Sequence, residues 1–126
     1  MYLLDTNTVI YYLKSALPPK AMQILHAIVD ERPMLSVITK MELLGFNYKQ
    51  MEEQLLMTQF TQASYMLNID DEIVANTISL RKQFKIKLPD AIIAATAISH
   101  NLILLTHNTT DFTKIQKLTV IDPFLL

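Results

Sequence analysis

The chain has 126 residues, 51% apolar and 18% charged, with a formal net charge of −1 and no cysteine. That length supports one domain with its own core over residues 1–126, and that composition excludes a disordered chain, disulfides and thiolate metal sites. The near-neutral balance argues against a large non-specific polyanion-binding surface, though not against a small acidic site flanked by a few basic residues.

The start, MYLLDTNTVI, has an acid at position 5 and no basic leader, and no apolar stretch is long enough to span a bilayer. A signal peptide and a membrane span are therefore not expected, and a reducing cytoplasm is the expected setting. Tyr2–Leu4 reads as a short strand, and Asp5-Thr6-Asn7 after it is a helix-start signal for a helix over Thr8–Lys14. Pro18-Pro19 breaks the chain. Lys20–Glu31 has apolar residues at helical spacing and is closed by Pro33. Met34–Val37 reads as a second strand, with Thr39 as the cap of a helix running through Glu42 to Gly45. That glycine is the only one, so neither a GxGxxG turn nor a P-loop can be written.

Lys49–Gln62 reads as a helix and Tyr65–Ile69 as a third strand. Asp70-Asp71-Glu72 opens a helix to about Phe84, with acids where the helix dipole favours them. Pro89 suits the first position of the next helix, Asp90–His100, whose body AIIAATAI is apolar nearly all round and should be buried. Leu102–Thr106 and Leu118–Ile121 are the fourth and fifth strands. Strands separated by helices predict an α/β fold of three layers, a parallel sheet with helices on both faces.

In a parallel sheet all strands end at one edge, where open α/β sheets hold their ligands. Asp5, Glu42, Asp90 and Asp111 all fall on that edge. So does the cluster at 70–72, and only strand order separates the two groups. With an order of 3-2-1-4-5, which is assumed at this point, the four acids belong to the central elements and residues 70–72 to the rim. Each acid alone also has a plain structural reading: Asp5 or Asn7 as a helix cap, Asp90 as a first-turn acid, Asp111 as a cap before Phe112, Glu42 as a solvated helix residue. Together, carboxylates crowded into one crevice repel, and a hard divalent cation with oxygen ligands resolves that repulsion. Such a site suits phosphodiester hydrolysis.

LLDTNTVI, MELLGF at 41–46, LPDAIIAATA at 88–97 and LTHNTTDF at 105–112 together resemble the PIN domains of VapC-type toxins, in order and in spacing, up to about residue 121. The resemblance implies that Asp5, Glu42, Asp90 and Asp111 are the acidic quartet and that Asn7, Thr106 and Asn108 line or brace it. It implies a Mg²⁺- or Mn²⁺-dependent endoribonuclease, a homodimer, and a small antitoxin partner that blocks the cleft. His107 departs from relatives, which often carry arginine there.

Among the basic residues, Arg81, Lys82, Lys85 and Lys87 read as a solvated face from which one or two contact phosphate. Lys40 either pairs with Glu42 or meets phosphate. His26 reads as packing, His100 as a helix-end residue, and His107 as structural, with a general-base role as the alternative. Met51, Leu55, Leu56, Met57 and Phe60 form an apolar stripe that is ordinary core or, in part, a dimer surface. Two rival functions are a phosphatase of the haloacid dehalogenase type, in which the second acid of its D-x-D motif would here be Asn7, and a catalytically silent PIN scaffold that binds protein or RNA.

Overall fold

Leu3, Leu4, Leu35, Leu104 and Leu105 are almost completely sealed from solvent, and they mark the middle of a sheet that is covered on both faces. In the computed structural model, which describes residues 1–126, the strands are β1 (Tyr2–Leu4), β2 (Met34–Ser36), β3 (Tyr65–Leu67), β4 (Ile103–Leu105) and β5 (Val120–Ile121). All pairings are parallel, and the order is β3-β2-β1-β4-β5, as assumed from the sequence. The register sets Leu3 beside Leu104 and Leu4 beside Leu105.

Side chains alternate across a strand, so these two pairs face opposite layers. Leu3 and Leu104 join a core built with Ile73, Leu80 and the buried face of Ala91–Ala97. Leu4 and Leu105 join the other, with Val9, Leu25, Met57 and Phe60. The first layer holds α5 (Asp71–Gln83) and α6 (Leu88–Ser99); α1 (Thr6–Leu13), α2 (Pro19–Asp30) and α4 (Met51–Ala63) build the second. Two further helices are α3 (Val37–Leu44), between α2 and α4 in sequence, and the single-turn α7 (Thr109–Phe112), after β4. None of these helices is long and apolar enough to cross a membrane.

Several expected boundaries move, each for a local reason. The helix after β2 is capped by Ser36, whose Oγ accepts the Ile38 N–H at 3.2 Å; Thr39, the expected cap, is buried inside α3. The first helix begins at Thr6, two residues early, because Asp5 is its cap. Leu88 and not Pro89 opens α6, which leaves the proline still in the first turn, where its missing N–H costs nothing. β2 to β5 are shorter than the runs that announce them, whereas β1 spans Tyr2–Leu4 as expected. The turn of helix at Thr109–Phe112 was not foreseen; Asn108, not Asp111, takes its cap position. Phe112, 1% exposed, pins it to the core, a burial worth about 1.5–3 kcal/mol. The stripe over 51–60 divides: Met57 and Phe60 are core, whereas Met51, Leu55 and Leu56 are exposed.

Candidate active site

Every element that reaches the carboxyl edge of β1 and β4 delivers a polar side chain there, and the backbone explains why. The sheet ladder ends with the Asp5 N–H donating to the Leu105 carbonyl at 3.2 Å. Asp5 then leaves the strand as the cap of α1: its Oδ1 accepts the Thr8 N–H at 2.8 Å. Its other oxygen accepts the hydroxyl of Thr106, the residue just past β4. Thr106 is itself fully buried, and its Oγ1 accepts the Asn108 N–H at 3.0 Å. Asn108 Nδ2 donates in turn to Asp111 Oδ2 at 2.9 Å. A chain of hydrogen bonds thus runs from Asp5 through Thr106 and Asn108 to Asp111.

A second, shorter chain fixes Glu42. The Thr6 hydroxyl donates to Glu42 Oε1 at 2.6 Å and stands 3.2 Å from Thr39 Oγ1. The resulting crevice, about 100 Å³, is lined by Asp5, Thr6, Asn7, Glu42, Asp90, Ile93 and Asn108. Asp90, in the first turn of α6, is half-buried.

The charges feel one another. Burial pushes the Asp90 carboxyl above its ordinary value, and the negative charges of Asp111, Glu42 and Asp5 push it further; Lys87, the residue before α6, pulls the other way. Burial also raises Asp5, against the hydrogen bonds from Thr106 and Thr8 that favour its ionised form. Four carboxylates therefore share one field, with a single lysine opposing it at Asp90. No three acids or histidines close on a common point as direct ligands of one ion. The donor set is oxygen only, which fits a hard cation reached through one or two carboxylates with water completing its shell.

The structure brings together Asp5, Glu42, Asp90 and Asp111, along with Asn7, Thr106 and Asn108. Of the basic residues, Lys87 reaches the field of the site. Lys40 is exposed on α3 and pairs with no acid, Glu42 included. Arg81 and Lys82 lie in the last turn of α5, outside the crevice, and Lys85 follows them. His107 turns to Asp122, 3.0 Å away, and packs against Phe124, so it takes a structural place and not that of a base. His26 is exposed and bonds the Tyr12 hydroxyl at 2.8 Å, and His100 ends α6 as expected. Two further residues at the site are Thr6, to which the sequence assigns no part there, and Thr39, which it offers only as a helix cap. The only trace of their role in the sequence is that a threonine follows Asp5 and another stands three residues before Glu42.

A larger pocket, about 480 Å³, opens at the opposite edge of the sheet, where Met1, Tyr2, Pro33 and Met34 line it. It holds one acid, Glu31, beside Arg32. The converging carboxylates lie in the smaller crevice.

Comparison with known proteins agrees with this geometry. The family model described as PIN domain matches residues 2–118. Ribonuclease VapC1 of Haemophilus influenzae is 31% identical, with 94% of each chain covered. Among solved structures, a toxin–antitoxin complex from Klebsiella pneumoniae superposes with a TM-score of 0.75 at 31% identity over 98% of both chains. A DNA-bound VapBC from Salmonella typhimurium does so with a TM-score of 0.80 at 26% identity over 97% of both. Neither the match nor the Asn7 at the second position of the D-x-N motif favours the phosphatase reading. The chain belongs to the PIN-domain family, among the VapC ribonucleases.

Proposed function

We propose that the chain is a metal-dependent endoribonuclease that hydrolyses RNA phosphodiester bonds, and that it is the toxin of a toxin–antitoxin pair. The observation that carries the reading is the crevice: Asp5, Glu42 and Asp90 line it and Asp111 is tied to it through Asn108, so that burial and then the charges of the other three acids raise the Asp90 carboxyl. A scaffold gains nothing from such repulsion, which disfavours the silent-PIN alternative.

Asp5, Glu42, Asp90 and Asp111 would hold the cation, Mg²⁺ or Mn²⁺. When bound, that ion lowers the pKa of an attacking water and offsets charge on the phosphate. The protein's own part is positional. Thr8 N–H and the Thr106 hydroxyl hold both oxygens of Asp5, which orients this carboxylate and favours its ionised form against the burial that raises its pKa. Thr6 aims Glu42 and Asn108 aims Asp111. Asn7 lines the crevice and Lys87 borders Asp90, where the lysine meets a substrate phosphate. Lys40, two residues from Glu42 and unpaired, is free to do the same on the other side.

The partners follow from the family and from the surface. Met51, Phe46 and Leu55, close together in sequence around the start of α4, are 83%, 64% and 55% exposed. We assign this region around residues 46–60 to the homodimer, and the cleft to blockage by a small antitoxin. Met51→Asp should give a folded monomer; a wild type that sediments as a monomer at micromolar concentration contradicts the dimer.

The deciding experiment is cleavage of RNA by pure protein. Activity should require Mg²⁺ or Mn²⁺, stop in chelator, and be absent in Asp5→Asn. Cleavage by Asp5→Asn at the wild-type rate would overturn the reading.

A further inference from the structure

The basic residues are not spread evenly. Residues 81–89 hold Arg81, Lys82, Lys85 and Lys87, and residues 112–121 hold Lys114 and Lys117, with no acid in either stretch. These six are more than half of the chain's 11 basic residues; taking six positive charges from a net −1 leaves −7 on the remainder. The fold brings the two stretches together, since Lys114 Nζ donates to the Lys85 carbonyl at 2.9 Å. All six side chains are exposed, and none is in an ion pair.

A groove of about 390 Å³ lies at this junction, walled by Gln83, Phe84, Lys114 and Lys117, and no acid lines it. Arg81 and Lys82 have a second reason for their place, because cations in the last turn of α5 suit its dipole. The other four lie outside that helix, and the dipole does not account for them. Each stretch is also close in sequence to an acid of the site, and Lys87 acts on Asp90 through its charge. Lys87 stands three residues before Asp90, and Lys114 three residues after Asp111.

We infer that this band is the track for the sugar–phosphate backbone of a single-stranded RNA leaving the crevice, running from Lys87 over Lys85 and Lys114 to Lys117, with Arg81 and Lys82 beside it. The inference rests on the nuclease reading above. Lysines contact phosphate as point charges and read no sequence, so the track supplies grip and direction and leaves base choice to the crevice. A single strand fits better than a duplex: Phe84 is half-buried in the groove wall and offers a ring on which an unpaired base can stack.

The test uses a 5′-fluorescent 20-nucleotide RNA of mixed sequence. Binding is followed by anisotropy in chelator across a salt series, and cleavage is followed with Mg²⁺. Lys114→Gln/Lys117→Gln should weaken binding about five- to tenfold near 0.1 M salt and flatten the log–log salt dependence by about 1.4, at roughly 0.7 per phosphate contact. In cleavage the loss should appear in KM with kcat held. Lys114→Arg, which keeps the charge, should bind like wild type. The control Lys20→Gln/Lys49→Gln, at exposed lysines outside the band, should change neither quantity. A double variant that binds with wild-type affinity and slope, while wild type cleaves in an Asp5-dependent manner, overturns the track and leaves the nuclease standing. A wild type that neither binds nor cleaves RNA overturns both.

Discussion

Asp5 and Asp70 do the same local work. Each ends a strand region, each caps the next helix, and each accepts the N–H three residues on, at 2.8 and 2.9 Å. Their surroundings differ because their strands differ. β1 is the central strand and β3 an edge. Asp5 therefore has β4 beside it, and Thr106 at the end of β4 takes its second oxygen and buries it. Asp70 has no such neighbour on its outer side and stays exposed. A capping aspartate becomes part of a site when a second strand end stands next to it.

The sharpest way to break this comparison is to neutralise both. Asp5→Asn keeps an adequate cap but should lower RNA cleavage by at least about 10³-fold, with Glu42→Gln and Asp90→Asn close behind. Asp111→Asn should lose less, being held at the end of the chain through Asn108. Asp70→Asn should cleave as wild type does. Initial rates with saturating Mg²⁺ and unchanged circular dichroism are the measurements. An Asp70→Asn as inactive as Asp5→Asn would erase the distinction.

The next effect concerns the bond that Asp70 lacks. Thr106→Val removes the hydroxyl that holds Asp5 while nearly keeping the volume. It should cost about 10–100-fold in activity, as loss of a partner behind a metal ligand does, and about 1–3 kcal/mol of stability from a buried acceptor left unpaired. Thr6→Val should lower activity by a similar factor through Glu42 with little effect on stability, since that pair is open to solvent. Urea melts and initial rates on the same preparations separate the two.

The smallest effect has opposite signs at the two clusters. In chelator Asp90→Asn should melt higher than wild type, by at most about 1 kcal/mol once solvent screening of a half-exposed group is allowed for. Asp70→Asn should melt lower by about 0.3–1 kcal/mol, because a charge favoured at a helix N-terminus is gone. The pH dependence follows from the direction of the shift. Asp5 and Asp90 lie above the ordinary 3.8. A carboxyl raised by folding contributes stability below its unfolded pKa and loses it as pH rises through the folded one. The advantage of Asp90→Asn should thus be full above the raised pKa of Asp90 and fade as pH falls through it. Mg²⁺ should raise the melting temperature of wild type far more than that of the variant. Calorimetry at several pH values, with and without Mg²⁺, tests both signs.

Much of this arrangement was legible in the residues. The apolar runs at 2–4 and 103–105 announce buried strands, and the acids after them fall at strand ends by position alone. The four-motif resemblance supplied the grouping that spacing could not, since residues 70–72 pass the same edge criterion. What stayed hidden was pairing across long separations. Nothing local says that Thr6 will reach Glu42, 36 residues away, or that Lys114 will meet the Lys85 carbonyl. The α3 cap differs from the expected one for a related reason: Ser36 and Thr39 are both buried and both able to cap, and the end of β2 at Ser36, set by its pairing with β3, decides between them.

The bond between Thr106 and Asp5 spans 101 residues, and it has a consequence for the order of events during synthesis. Asp5 is made well before the hydroxyl that steadies it, the amide that aims Asp111 and the β5 carbonyl that accepts the Thr106 N–H. Chains emerge N-terminus first, and contacts this distant in sequence form late. A partly made chain holds its first carboxylate without the rest of the quartet. The four carboxylates come together only after the segment that carries Thr106 and Asp111 has been made.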